Sequence, residues 1–132
     1  MGTISYLEYS NRDIRYAKEM FRAKCFDPCG RFCQQAVEKR FKHYIETYGN
    51  YSDKFILSSH NLGKLYARVC ELAKISMDKI FRGDLATLTD YYFDTNYPQE
   101  HGNIELTEEM AIDAIHTMET LCGWLDKLMR KD

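Results

Sequence analysis

Two prolines and seven glycines are all the chain-breaking residues in 132 positions. Between them, apolar side chains recur at three- and four-residue spacing. This pattern favours long helices over a turn-rich β fold. Ile14, Ala17, Met20 and Phe21 mark the apolar stripe of a first helix expected over Ser5 to Lys24, with Arg15, Lys18 and Arg22 on another face. Asp27-Pro28 reads as the next start: an Asp side chain accepts free N–H groups, and Pro is pre-set for the first turn. This second helix runs to Tyr48, where Gly49-Asn50 stops it. Its Cys29, Phe32, Cys33, Ala36, Val37, Phe41, Tyr44, Ile45 and Tyr48 form a wide apolar stripe, opposite Gln35, Glu38, Lys39, Lys42 and Glu46.

Tyr51–Leu57 reads as a loop, and Ser58-Ser59 offers caps for a third helix through about Lys74. Asp84 is expected to cap a fourth over Leu85–Asp94, which Tyr97-Pro98 ends, and a polar stretch, Gln99–Glu105, follows. Thr107-Glu108-Glu109 opens the last helix with a cap and two acids suited to the positive end of its dipole. Ala111, Ala114, Ile115, Met118, Leu121, Cys122, Leu125 and Leu128 then repeat at helical spacing down to Met129. About five helices on short connections predict an all-α fold: a compact up-and-down antiparallel bundle in one domain, residues 1–132.

The net charge of −2 hides a division along the chain. Met1–His43 holds nine Lys/Arg against five Asp/Glu, Tyr44–Gly83 six against four, and Asp84–Asp132 three against eleven. Such asymmetry fits a phosphate-seeking face or head-to-tail association, and equally fits solvated faces of different composition. Five cysteines cannot all pair within one chain. The start lacks a signal peptide's basic and apolar regions, and no apolar run approaches the ~20 residues of a membrane span. A cytoplasmic protein without a membrane partner is the expectation.

Cys25, Cys29 and Cys33 are spaced by four, but structural zinc sites draw paired short spacings from two separated segments. Apolar packing of the thiols is the simpler reading, and neither metal nor cofactor is expected. His43, His60, His101 and His116 are scattered, with His116 expected at the surface and His101 in the polar stretch. The block Gln34-Gln35-Ala36-Val37-Glu38-Lys39-Arg40-Phe41-Lys42 carries more polar detail than a bundle helix needs. Lys39 and Lys42 stand one turn apart, so their ammonium groups can converge on one anion. Glu38 and Lys42 also form a favourable helix pair by spacing alone.

That block, followed by His60-Asn61-Leu62 and then by Tyr92, Tyr97 and Pro98, resembles the HEPN domain (higher eukaryotes and prokaryotes nucleotide-binding) over roughly Asn11 to Leu128. The resemblance implies a small helical bundle that forms a homodimer, binds nucleotide or RNA, and works with a minimal nucleotidyltransferase in a toxin–antitoxin-like pair. It makes Gln35, Lys39, Lys42, His60 and Tyr97 the ligand-facing candidates, the lysines meeting phosphate and Tyr97 stacking on a base. Two departures stand out. Asn96 occupies the place of a frequent Arg before Tyr-Pro. Catalytic members also carry an Arg followed after about four to six residues by a His able to act as a general base. Here Arg40 and His43 are three apart, Arg31 and His43 twelve apart, and His60, His101 and His116 have no Arg at the needed distance. The reading is therefore a non-catalytic HEPN protein. A metal-independent ribonuclease toxin using His43 or His60 is the alternative, and a helical protein-interaction scaffold the second.

Overall fold

The computed structural model describes residues 3–77, 80–96 and 105–130. They form helices α1 (Tyr6–Arg22), α2 (Phe26–Tyr48), α3 (Leu62–Ala73), α4 (Ile80–Asn96) and α5 (Glu108–Arg130). Two 3-10 turns, Tyr51–Lys54 and Ile56–Ser58, connect α2 to α3. The chain is all-α, with no strand among the described residues. Helical elements outnumber the five or so expected, because the presumed loop Tyr51–Leu57 is largely wound into the two turns. The Tyr97-Pro98 stop, His101 and residues 99–104 of the polar stretch lie outside the described residues.

Local chemistry sets most boundaries. Ser5 Oγ accepts the Glu8 N–H at 3.1 Å while the Glu8 carboxylate reaches back to Ser5, a reciprocal cap that starts α1. Helix α2 begins two residues before Pro28, with Cys25 at its cap position and no side-chain cap. Asp27 instead accepts the Leu106 N–H at 2.7 Å, tying the lead-in of α5 to the start of α2. Asn61, rather than Ser58 or Ser59, caps α3 by accepting the Lys64 N–H at 3.0 Å. Lys74 ends that helix in the left-handed region, φ 59°. Helix α4 starts upstream of Asp84, which is an interior residue rather than its cap.

Helix α2 packs against all four of the other described helices. It can do so because its apolar stripe is unusually wide: Cys29, Cys33, Ala36, Val37, Phe41, Tyr44 and Ile45 are all buried. Each fully buried Phe, Ile or Val contributes about 1.5–3 kcal/mol relative to exposure, so this helix anchors the core. Phe41, Tyr66, Phe81 and Trp124 form an aromatic cluster joining α2, α3, α4 and α5, with neighbouring ring centroids 5.6–6.1 Å apart. Arg40 pins three helices at once. Its guanidinium forks onto Asp126 of α5 at 3.0 and 3.1 Å and donates to Ser10 Oγ and Asn11 Oδ1 of α1.

Helices α1 and α2 form an antiparallel hairpin: Ser10 meets Ala36, Tyr16 meets Phe32, and Phe21 meets Phe26. Helices α3 and α4 are likewise antiparallel, Tyr66 facing Phe81 and Leu62 facing Thr89. Helix α3, however, runs in the same sense as α2, with His60 beside Glu38 and Tyr66 beside Phe41. The 3-10 turns carry the chain part-way back along α2 before α3 begins. Strict up-and-down alternation therefore gives way there, and this return delivers His60 to the middle of α2.

Candidate functional site

The Glu38 side chain is fully buried, yet it is a carboxylate. Four donors converge on it. Gln34 Nε2 and His60 Nδ1 lie 3.0 and 2.9 Å from Oε1, and the Lys39 and Lys42 ammonium groups lie 3.2 and 3.1 Å from Oε2. A carboxylate offers about four lone-pair sites, so its acceptor capacity is filled. Burial alone would push the Glu38 carboxyl up. The two ammonium groups, with hydrogen bonds from Gln34 and His60, outweigh that and hold it below the usual range. Ionised Glu38 can only accept, so His60 carries its proton on Nδ1, and in the neutral ring Nε2 is the lone-pair nitrogen.

The network runs outward in order. Gln34 Nε2 also donates to the His60 carbonyl at 3.2 Å, and Gln35 Nε2 donates to Gln34 Oε1 at 2.7 Å. Lys39 Nζ donates to Gln35 Oε1 at 2.8 Å. Lys39 thus spends two of its three N–H donors on Gln35 and Glu38, with one left for another acceptor. The His60 ring stacks on Tyr92 of α4, centroids 4.6 Å apart and planes 22° off parallel.

Outside this network lies a cleft of about 330 Å³ between α1, α2 and α4. Helix α1 contributes Tyr9, Arg12 and Asp13; α2 contributes Arg31, Phe32, Gln35 and Lys39; α4 contributes Tyr92. Three cations therefore face one carboxylate among aromatic walls. Arg12 stacks its guanidinium over the Tyr9 ring at 4.4 Å, and its Nε is buried without a hydrogen-bond partner among the described residues. An orphaned donor at the wall of a cationic cleft is unusual, since buried polar groups are nearly always paired. Asp13, 5% exposed, has only the Arg12 Nε at 4.0 Å as an ion-pair partner among the described residues. Burial pushes its carboxyl above the ordinary value, opposed by Lys39 and Arg12 and reinforced by Glu38. A second hollow of about 410 Å³ adjoins through Tyr9 and Lys39 and is lined also by Ser5, Tyr6 and Glu46. A hollow of about 300 Å³ between α3 and α4 has Asp90 as its charged residue and no cation, so it would not attract an anion.

Four of the five residues singled out by sequence, Gln35, Lys39, Lys42 and His60, meet around Glu38; the fifth, Tyr97, lies outside the described residues. Lys39 and Lys42 do converge on one anion, and that anion is the chain's own Glu38. Lys39 and Gln35 also line the cleft, whereas Lys42, 5% exposed, does not. His43 sits apart beside Arg40, with burial and then the Arg40 charge lowering its pKa. His116 is exposed. Cys25 is exposed while Cys29 and Cys33 are buried, and burial pushes the neighbouring Cys122 thiol up to about 12, so the core sulfurs act as apolar filling. Sequence reasoning missed Glu38 as the centre and Arg12, Asp13, Arg31 and Tyr92 as walls. Glu38 stood in the right block but was read as a surface pairing partner. The wall residues come from three helices, and no spacing rule joins them.

A model of the HEPN domain family matches residues 5–128. The chain belongs to the HEPN domain family. The match spans nearly the whole bundle and includes every wall of the cleft. HEPN domains are a family of nucleotide-binding and ribonuclease type. Comparison with curated proteins and with solved structures yields no match to this HEPN chain. No helix among the described residues is long and apolar enough to cross a membrane.

Proposed function

We propose that this HEPN protein binds nucleotide or RNA phosphate without cleaving it, as a homodimer acting with a minimal nucleotidyltransferase in a toxin–antitoxin-like pair. The observation that carries the binding half is the cleft where Arg12, Arg31 and Lys39 outnumber Asp13. Arg12 and Arg31 bring their charge to its walls, and Lys39 keeps one donor unspent. An oxyanion can accept from that Lys39 donor, and its charge compensates the local excess. Tyr9, Phe32 and Tyr92 supply ring faces at the same place for a base. Lys42 and Glu38 act behind the wall: with Gln35 they hold Lys39 at the cleft edge. About 330 Å³ falls in the range of small-ligand sites.

Titration calorimetry with GTP, ATP and a short RNA tests the binding half. Saturable heat is expected with at least one of them, and no heat with any contradicts the proposal. Co-elution with a nucleotidyltransferase encoded beside this protein tests the partnership, and light scattering at micromolar concentration tests the dimer.

One observation favours a second reading, a metal-independent ribonuclease. Glu38 fixes the His60 tautomer, leaving Nε2 as a base on a ring that is 43% exposed. A carboxylate that orients imidazole in this way is how general bases are commonly held. Cleavage of a labelled RNA by the pure protein, abolished by His60→Ala, would establish it in place of the non-catalytic reading.

A further inference from the structure

At the end of α2, far along the helix from the cleft residues Arg31 and Gln35, the chain displays two large rings to solvent. Tyr51 is 82% exposed and Phe55 76% exposed, on and just after the first 3-10 turn. Isolated exposed apolar residues are common and need no explanation. This pair differs in what surrounds it.

The backbone beneath the rings is fastened from three sides. Asn50 Oδ1 accepts the Ser52 N–H at 2.9 Å, and Asp53 Oδ2 accepts the Asn50 N–H at 2.9 Å. Asp53 is buried and gripped by Arg68 of α3 through Nε and Nη2 at 2.6 and 3.1 Å. Residue 49 is glycine for a steric reason: a Cβ there would collide with the Asp53 carboxylate and the Ile45 carbonyl. The turn is therefore preorganised, and a ligand would lose little entropy of its own in ordering it.

Between the rings sits a cation. Lys54 Nζ lies 4.7 Å from the Tyr51 centroid and 5.1 Å from the Phe55 centroid, and donates to Tyr51 Oη at 3.2 Å. It forms no ion pair among the described residues. Asp53, the nearest acid in sequence, is already engaged by Arg68. Two exposed ring faces flanking an ammonium without a carboxylate make a site for a ligand with flat aromatic groups and a spaced anion. Single-stranded nucleic acid has that chemistry: bases stack on aromatic faces and the intervening phosphate meets the cation. An acidic peptide would match Lys54 but would leave both ring faces with little to stack on. The location, within the part of the chain where Lys/Arg exceed Asp/Glu, favours the same polyanion.

We infer that Tyr51, Lys54 and Phe55 form a stacking platform for single-stranded nucleic acid, separate from the cleft. It lengthens the ligand from a nucleotide to an oligonucleotide. The platform extends the binding reading above but is testable without it, because its probe is an oligonucleotide and its residues lie outside the cleft.

Fluorescence anisotropy with labelled single-stranded oligouridylate and oligodeoxythymidylate of about twelve nucleotides, beside a labelled mononucleotide, tests it. Tyr51→Ala/Phe55→Ala is expected to weaken oligonucleotide binding at least tenfold, because it removes both stacking faces. It is expected to leave mononucleotide binding unchanged. Tyr51→Phe, which keeps the ring, should retain most of the affinity. Lys54→Met should flatten the dependence of log affinity on log salt by about 0.7, one phosphate's worth on a single strand. Both rings are exposed, so helical circular dichroism should be unaltered in every variant. Oligonucleotide affinity that is undetectable in the wild type, or unchanged in the double variant, overturns the platform and leaves the patch to a protein partner. Failure of mononucleotide binding alone would count against the cleft and not against the platform.

Discussion

His60 Nδ1 lies 2.9 Å from Glu38 Oε1, joining the residue that leads into α3 to the buried middle of α2. The same carboxylate takes Lys39 and Lys42 on its other oxygen, so one buried charge organises both the helix and the histidine. The cleft depends on this arrangement: without Glu38 nothing fixes Lys39 at its edge except Gln35.

Removing Glu38 should therefore be costly. Glu38→Ala strands the Lys42 ammonium, which is 5% exposed, and breaking such a buried pair costs about 3–5 kcal/mol. Glu38→Gln keeps the shape and should cost less, because the amide still accepts from one donor. Denaturant unfolding checks both, and an Ala variant as stable as wild type would remove Glu38 from its central place.

Acid should unfold the protein partly through the same group. The Glu38 carboxyl is lower in the folded chain than in the unfolded one, so its stabilisation is full above the ordinary value of about 4.3 and is lost as pH falls through that value toward the lower folded one. Asp53, lowered by its Arg68 hydrogen bonds, adds to the loss with the same sign. Melting temperature should fall on acidification below about pH 5, and the fall should be shallower in Glu38→Gln. Parallel profiles for the two proteins would contradict this.

Asp13 works in the opposite direction. Burial raises its carboxyl, so holding it ionised at neutral pH costs stability, a cost that disappears as pH falls below its raised value. It is also the carboxylate among the cleft walls. Asp13→Asn should raise both the neutral-pH melting temperature and the affinity for an anionic ligand, the latter by several-fold. Titration of the variant checks it; weaker binding would mean that Asp13 itself contacts the ligand.

The fold was legible because periodicity reports burial: most of the stripes expected in α2 and α5 is core, with Phe32, Ile115 and Leu128 half-buried at the edges and Tyr48 exposed at the end of α2. Caps were legible only where the partner is local. Thr107, whose Oγ1 accepts the Met110 N–H at 3.2 Å, is such a case, whereas Asp27 serves Leu106, 79 residues away, and no local pattern announces that bond. The 3-10 turns were hidden for the same reason, since Asp53 owes its place to Arg68. In the site, the Lys39–Lys42 spacing predicted convergence on an anion but could not say whose. The chain places its own carboxylate there, and the external face needs Arg12 and Tyr92 from other helices.

The most direct test of the cleft is to compare Arg12→Gln/Lys39→Gln with Lys42→Gln by calorimetry, using whichever of GTP, ATP or short RNA binds the wild type. The Arg12/Lys39 variant should lose at least tenfold in affinity while keeping a cooperative melt. Lys42→Gln should lose stability, and its affinity at temperatures where it is folded should change far less. Unchanged affinity in the Arg12/Lys39 variant would contradict the assignment of this cleft as the phosphate site.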